Sequence, residues 1–184
     1  VRHMREAPDA VHAALSAIAE TFANYARACV AAGAAGIFLA TTSWASRETI
    51  SEADYEQFGR PYDLKVLEAV ADAPLNVLHV CGSQNMLLSL GDYPVAAFNW
   101  AATDPTNPSL AEAAEVLDRG LIGGISREAL TAETPDAVLA EARLARDQAV
   151  GHRWILGPNC SIPTNSRPEN ILALKEYVFS QTQE

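Results

Sequence analysis

Cysteine, aromatic residues and positive charge are all scarce in this chain of 184 residues. Its three cysteines are an odd number in unrelated contexts, so a disulfide framework is a poor reading and reduced thiols a better one. Thirteen Lys and Arg stand against 23 Asp and Glu, giving a formal net charge of -10 and a pI of about 4.8. The few basic residues are scattered, which opposes close approach to a polyphosphate backbone and leaves nucleic acid an unexpected partner. Long apolar runs are missing too. The most apolar stretch, Ala28 to Ala45, is broken at Gly33 and Gly36 and contains Thr41, Thr42 and Ser43, so helix, turn and strand account for it better than a membrane span. Arg2, His3, Arg5 and Glu6 stand at the start with no apolar core behind them, unlike a signal peptide. The expected compartment is the cytoplasm, with no membrane partner.

What is present suffices for one core. With 49% hydrophobic and 20% charged residues the chain is expected to form a single domain over residues 1–184. Pro8 to Ala32 reads as one long helix, with Val11, Leu15, Ile18, Phe22 and Tyr25 spaced by three or four as its core-facing stripe. Gly36 to Ala40 reads as a buried strand, a loop follows to Ile50, and Ser51 opens a helix running to about Ala71. Further strands are predicted at Leu75 to Gly82, Val95 to Trp100, Leu121 to Ile125 and Arg153 to Gly157, with helices near 84–90, 109–119, 135–150 and 168–179. Such alternation argues for a parallel sheet with helical crossovers. Unusual residues collect where strands end: Ser43 and Trp44, His79 and Cys81, Asn99 and Trp100, Ser126 and Arg127, Asn159 and Cys160. That is the mark of a (β/α) barrel mouth or of the crevice of an open α/β sheet. The expected fold is therefore a partial (β/α)8 TIM-barrel type with about five βα units, roughly three short of closure. The strand edges near Ile37 and Ile155 would be left unpaired, and a homodimer is one way to cover them.

His79 and Cys81, two apart on a strand, point to one face, while Leu78 and Val80 face the other way. Cys160, at the end of a later strand, would make a His/Cys/Cys set with a fourth tetrahedral position open, as in catalytic zinc sites. Cys29 lies on the helical stripe with no histidine at ligand spacing and is expected to be a core residue. His3, His12 and His152 are given no role. Ser43, Trp44, Asn99 and Arg127 are the candidate substrate-binding residues. Arg127 is placed to meet an anionic group or else to pair with Glu128 or Glu133, while Asp104-Pro105 and Asn107-Pro108 read as turns.

Several segments, in order, carry a resemblance to a known family: Ala32-Gly33-Ala34, Thr42-Ser43-Trp44-Ala45, Phe58-Gly59-Arg60-Pro61-Tyr62, His79-Val80-Cys81-Gly82, and Cys160-Ser161-Ile162-Pro163 followed by Arg167-Pro168-Glu169-Asn170-Ile171. Together they resemble the carboxyl-terminal two thirds of the uroporphyrinogen decarboxylase superfamily, and the histidine with two cysteines resembles its zinc-dependent, corrinoid-linked methyltransferase branch. That resemblance implies zinc on His79, Cys81 and Cys160. It also implies a small-molecule thiol acceptor held as thiolate, and a methyl-corrinoid donor on a partner protein. An alternative it implies is uroporphyrinogen decarboxylase-like lyase activity in porphyrin biosynthesis, acting on a tetrapyrrole. Thr42-Ser43-Trp44-Ala45-Ser46 and Asn159-Cys160-Ser161 depart from the decarboxylases' own segments. A third reading is a non-catalytic truncated homologue acting as a binding module.

Overall fold

The computed structural model describes residues 1–181. The chain folds as a partial (β/α) barrel type, with five strands in the order β1-β2-β3-β4-β5: β1 (Phe38–Ala40), β2 (Val77–Val80), β3 (Ala97–Trp100), β4 (Gly120–Ile125) and β5 (Trp154–Pro158). The β1/β2 and β4/β5 pairs are parallel, with Ala40 beside His79 and Gly124 beside Gly157. Among the described residues eight α-helices accompany them: α1 (Arg2–Glu6), α2 (Pro8–Ala31), α3 (Glu52–Phe58), α4 (Arg60–Glu68), α5 (Leu110–Val116), α6 (Arg127–Thr131), α7 (Asp136–Gln148) and α8 (Pro168–Gln181). The chain divides into two compact units, Val1–Phe98 and Asn99–Glu184.

In the first unit the alternation predicted from sequence holds, but β1, expected to be buried, exposes Phe38 and Ala40, and there are three further differences. The helix expected from Ser51 to Ala71 is two, α3 and α4. Pro61, in the first turn of α4, has no N–H to donate back to α3, and Gly59 takes the break. Ser51 caps α3 by accepting from the Asp54 N–H at 3.1 Å, as its spacing suggests. The helix expected near 84–90 is a short 3-10 turn at Leu87–Leu90. The third difference concerns α2. Its buried residues are Ala19, Ala23 and Ala26, while Ile18, Phe22 and Tyr25 are 51, 55 and 66% exposed. Small side chains let α2 lie close to α4, where Ala19 and Ala26 share a cluster with Val66 and Val70, so the bulky stripe is turned aside from the core. Gly36, just before β1, meets β2's approach so closely that a Cβ there would stand 2.1 Å from the Leu75 carbonyl oxygen.

In the second unit Ser109 and Glu112 form a reciprocal capping box at the start of α5. The unforeseen helix α6 is capped by Ser126, whose Oγ accepts from Ala129 N–H at 3.0 Å and donates to Glu141 at 2.7 Å. Its last carbonyls are closed by the buried Asn170, whose amide donates to the carbonyls of Ala129, Leu130 and Ala132 at 2.9–3.2 Å. Ile125, Ala129, Val138 and Ala142 form the core beneath, with Leu156, Leu174 and Tyr177 packed on it.

Candidate functional site

At the carboxyl ends of β1 and β2 the two following loops are laced together mostly through the main chain. The Thr41 N–H and hydroxyl both donate to the His79 carbonyl, at 3.0 and 3.2 Å. Met86 N–H reaches Ala45 O, Arg47 N–H reaches Gln84 O, and Ser46 Oγ donates to Ser83 O at 2.7 Å. Gly82 has φ +88, a left-handed turn that a glycine adopts without strain, and it follows Cys81 directly. His79 is buried and stacks on Phe38 with ring centroids 5.6 Å apart; Cys81 is half-buried. Trp44 is 45% exposed and lines an apolar groove of about 930 Å³ with Ile18, Phe22 and Phe38, whereas Ser43 is not among the lining residues.

The ends of β4 and β5 are tied by side-chain amides instead. Asn99 donates from Nδ2 to the carbonyls of Ile122 and Pro158 at 2.9 and 3.0 Å. Asn159 accepts from Gly124 N–H at 3.1 Å and donates to Thr103 Oγ1 at 2.6 Å, which fixes the backbone that carries Cys160. Arg127, from the first turn of α6, donates to the carbonyl of Ser161 at 3.1 Å and to its hydroxyl. Its partner is thus the turn after Cys160 rather than Glu128 or Glu133. The turn readings hold: Asp104 Oδ1 accepts from Thr106 N–H at 2.9 Å, and Asn107 donates to Ala101 O at 3.2 Å.

His79, Cys81 and Cys160 are a group that could hold a metal ion. None of the three cysteines is in a disulfide.

One polar cluster escaped the sequence reading. Asp63 on α4 is half-buried and accepts from the hydroxyls of Tyr55 and Tyr93, the latter at 3.1 Å. Burial pushes its carboxyl up to about 6, against the hydrogen bonds and the nearby Arg60 charge that pull it down. Burial also drives the Tyr55 and Tyr93 hydroxyls far above the ordinary tyrosine range, and the carboxylate beside them adds to it. The Arg60 guanidinium lies 5.0 Å from the Tyr93 ring centroid. The two tyrosines that hold Asp63 lie 8 and 30 positions away and outside α4, so spacing along one helix gave no signal of the cluster.

Parallel strands with polar residues gathered at their carboxyl ends define the (β/α)-barrel class of enzyme folds. The chain belongs to the uroporphyrinogen decarboxylase (URO-D) family, whose model matches residues 1–180. Uroporphyrinogen decarboxylases from Synechococcus sp., Carboxydothermus hydrogenoformans and Mycobacterium sp. are each 30% identical to it, over 89, 96 and 96% of this chain and 46, 49 and 52% of theirs. The chain spans about half the length of these curated relatives. A crystal structure from Listeria monocytogenes, assigned as a vitamin-B12 independent methionine synthase, superposes with a TM-score of 0.61 over 99% of this chain and 57% of that one, at 16% identity; it shares the fold.

These findings correct the expected assignment. The family match runs through nearly the whole chain and its curated relatives are decarboxylases, which overturns both the methyltransferase branch and the carboxyl-terminal two-thirds extent. Methyl transfer from a corrinoid to a thiol falls with them. One imidazole and two thiols had carried that branch, and a ligand set is too local a feature to outweigh similarity spread along the chain. The family is one of enzymes. Among the described residues, no helix is long and apolar enough to cross a membrane.

Proposed function

We propose that the chain carries part of a centre for uroporphyrinogen decarboxylation or a closely related carboxy-lyase step on a tetrapyrrole. The observation behind this reading is the URO-D match over residues 1–180 together with curated relatives that bear the decarboxylase name. Decarboxylation breaks a carbon–carbon bond, releases carbon dioxide and needs a proton delivered to the carbon left behind. A site for it must hold anionic carboxylates still while that proton arrives. Arg127 is the cation we assign to a substrate carboxylate: its guanidinium, already anchored on Ser161, keeps further donors in the fork geometry that carboxylates accept. Ser43 and Trp44, which follow β1, are further substrate-binding candidates of the first unit, and in the second Asn99 ties the ends of β4 and β5.

The test is anaerobic consumption of uroporphyrinogen, with products of fewer carboxyls separated as oxidised porphyrins. Turnover is expected, and Arg127→Ala should raise KM at least about tenfold with less effect on kcat, as loss of uniform binding does. No such product, under conditions where a curated relative turns over, sinks the reading.

The donor set of His79, Cys81 and Cys160 supports a zinc ion as the finer reading of that cluster. Bound there, zinc would polarise an oxygen or sulfur ligand at its fourth position. Elemental analysis checks this apart from activity. About one zinc per chain is expected, with loss in Cys160→Ser. A chain that stays metal-free after reconstitution under reducing conditions ends the zinc reading and leaves the decarboxylase assay standing.

A further inference from the structure

The α6 helix has only five residues, too few to hold a direction of its own, so its ends must be fixed from outside. At its carboxyl end the amide of Asn170 does this from α8. At its amino end the tie comes from α7. Ser126, the N-cap, donates twice to the carboxylate of Glu141: its N–H to Oε2 at 2.7 Å and its hydroxyl to Oε1 at 2.7 Å. A single hydrogen bond lets the residue it holds pivot, whereas two bonds to one carboxylate fix position and rotation together. The next residue along is Arg127, whose guanidinium donates to the carbonyl and the hydroxyl of Ser161.

Glu141 stands where a carboxylate is unfavourable. It lies three residues after Val138 and four before Ala145 on α7, so it shares the face that those two bury, and it is itself half-buried. A carboxylate on a core-facing stripe gives up hydration that an apolar side chain there would not need. Capping of α6 does not call for it, because Ser126 Oγ already accepts from Ala129 N–H at 3.0 Å. What the carboxylate adds is a fixed orientation of the backbone that leads into Arg127. We infer that Glu141 is the positioning residue for Arg127: through Ser126 it holds the guanidinium in the orientation that takes a substrate carboxylate. Glu141 acts only through Ser126 and needs no contact with substrate. The inference rests on the assignment of Arg127 to a substrate carboxylate and extends the site from α6 to α7.

The first test needs no turnover. In side-chain nitrogen NMR of the arginine guanidinium groups, the Arg127 signal is identified by its loss in Arg127→Lys. Glu141→Gln turns an amide donor toward a Ser126 donor, and it should shift and broaden that signal. Ser126→Ala keeps the N–H arm and should move the signal the same way by less; it decides the matter if Glu141→Gln does not fold. Ser109→Ala, which breaks the capping box of α5 in the same unit, should leave the signal in place. An Arg127 signal indifferent to the loss of either arm overturns the inference. The second test separates KM from kcat. Glu141→Gln should raise KM for uroporphyrinogen about tenfold with kcat little changed. Combined with Arg127→Ala it should stay within about twofold of Arg127→Ala alone, since orientation no longer matters once the guanidinium is gone. Effects that multiply would make Glu141 a purely structural residue, and a lowered KM would make it an opposing charge; either result overturns the inference. If the unmodified chain consumes no uroporphyrinogen, the carboxy-lyase reading falls, and the guanidinium signal alone decides the positioning.

Discussion

Two polar clusters, one in each unit, are held in opposite ways. In the first unit a half-buried carboxyl, Asp63, is held by two tyrosine hydroxyls and pushed up to about 6 by burial. In the second the groups are a pair of amides, Asn99 and Asn159, whose hydrogen bonds are the same at every ordinary pH. An amide offers donors and acceptor without a charge to desolvate, so it ties strand ends together unconditionally. A buried carboxyl does so only in one protonation state. The ends of β4 and β5 are thus held by amides, while the ionisable cluster centres on α3 and α4.

Substituting the ties should make that contrast measurable. Asn99→Ala leaves the Ile122 and Pro158 carbonyls without their amide donor and is expected to cost about 3 kcal/mol in denaturant unfolding; a loss below about 0.5 kcal/mol would deny the amide its structural role. For Asp63 the sign follows from its raised value. The folded form keeps its proton to a higher pH than the unfolded one, so its stabilising contribution is complete below about 3.8 and fades as pH rises through about 6. Asp63→Asn should therefore gain on the parent protein as pH goes from 4 to 7, by on the order of 2 kcal/mol, and a parallel pair of melting curves across that range would contradict it. The smallest effect is expected from Ser126→Ala, which loses the α6 cap and the Glu141 tie, roughly 1 kcal/mol with little pH dependence.

Strand and helix order was legible because each strand here is a short apolar run bounded by turn residues, and Ser51 and Ser109 mark helix starts by simple spacing. The break at Gly59 was equally visible in Pro61, yet the apolar pattern of α4 continues that of α3 and masks it. Periodicity found the stripe on α2 but assigned it to the core, since spacing reports that residues share a face and is silent on what covers the face. At the site, the strand-face rule and the strand ends brought out His79, Cys81 and Cys160. Asn99 was chosen as a substrate group, and its bonds to two carbonyls could not be read from one strand, because the carbonyls belong to residues 23 and 59 positions away. Asp63 was missed for the same reason: its tyrosines lie 8 and 30 positions off.

Gly36 bears on how this sequence can change. With the Leu75 oxygen 2.1 Å and its carbon 2.4 Å from where a first side-chain atom would stand, even alanine must push main chain aside. Flexible neighbours can rotate away from an intruder, but a carbonyl at the start of a paired strand cannot. A lineage drifting by single substitutions would meet a wall at this position, and a saturation library should return almost nothing but the parent residue there. Passage beyond it would first require residues 75 and 76 to be re-routed, a change of loop rather than of side chain.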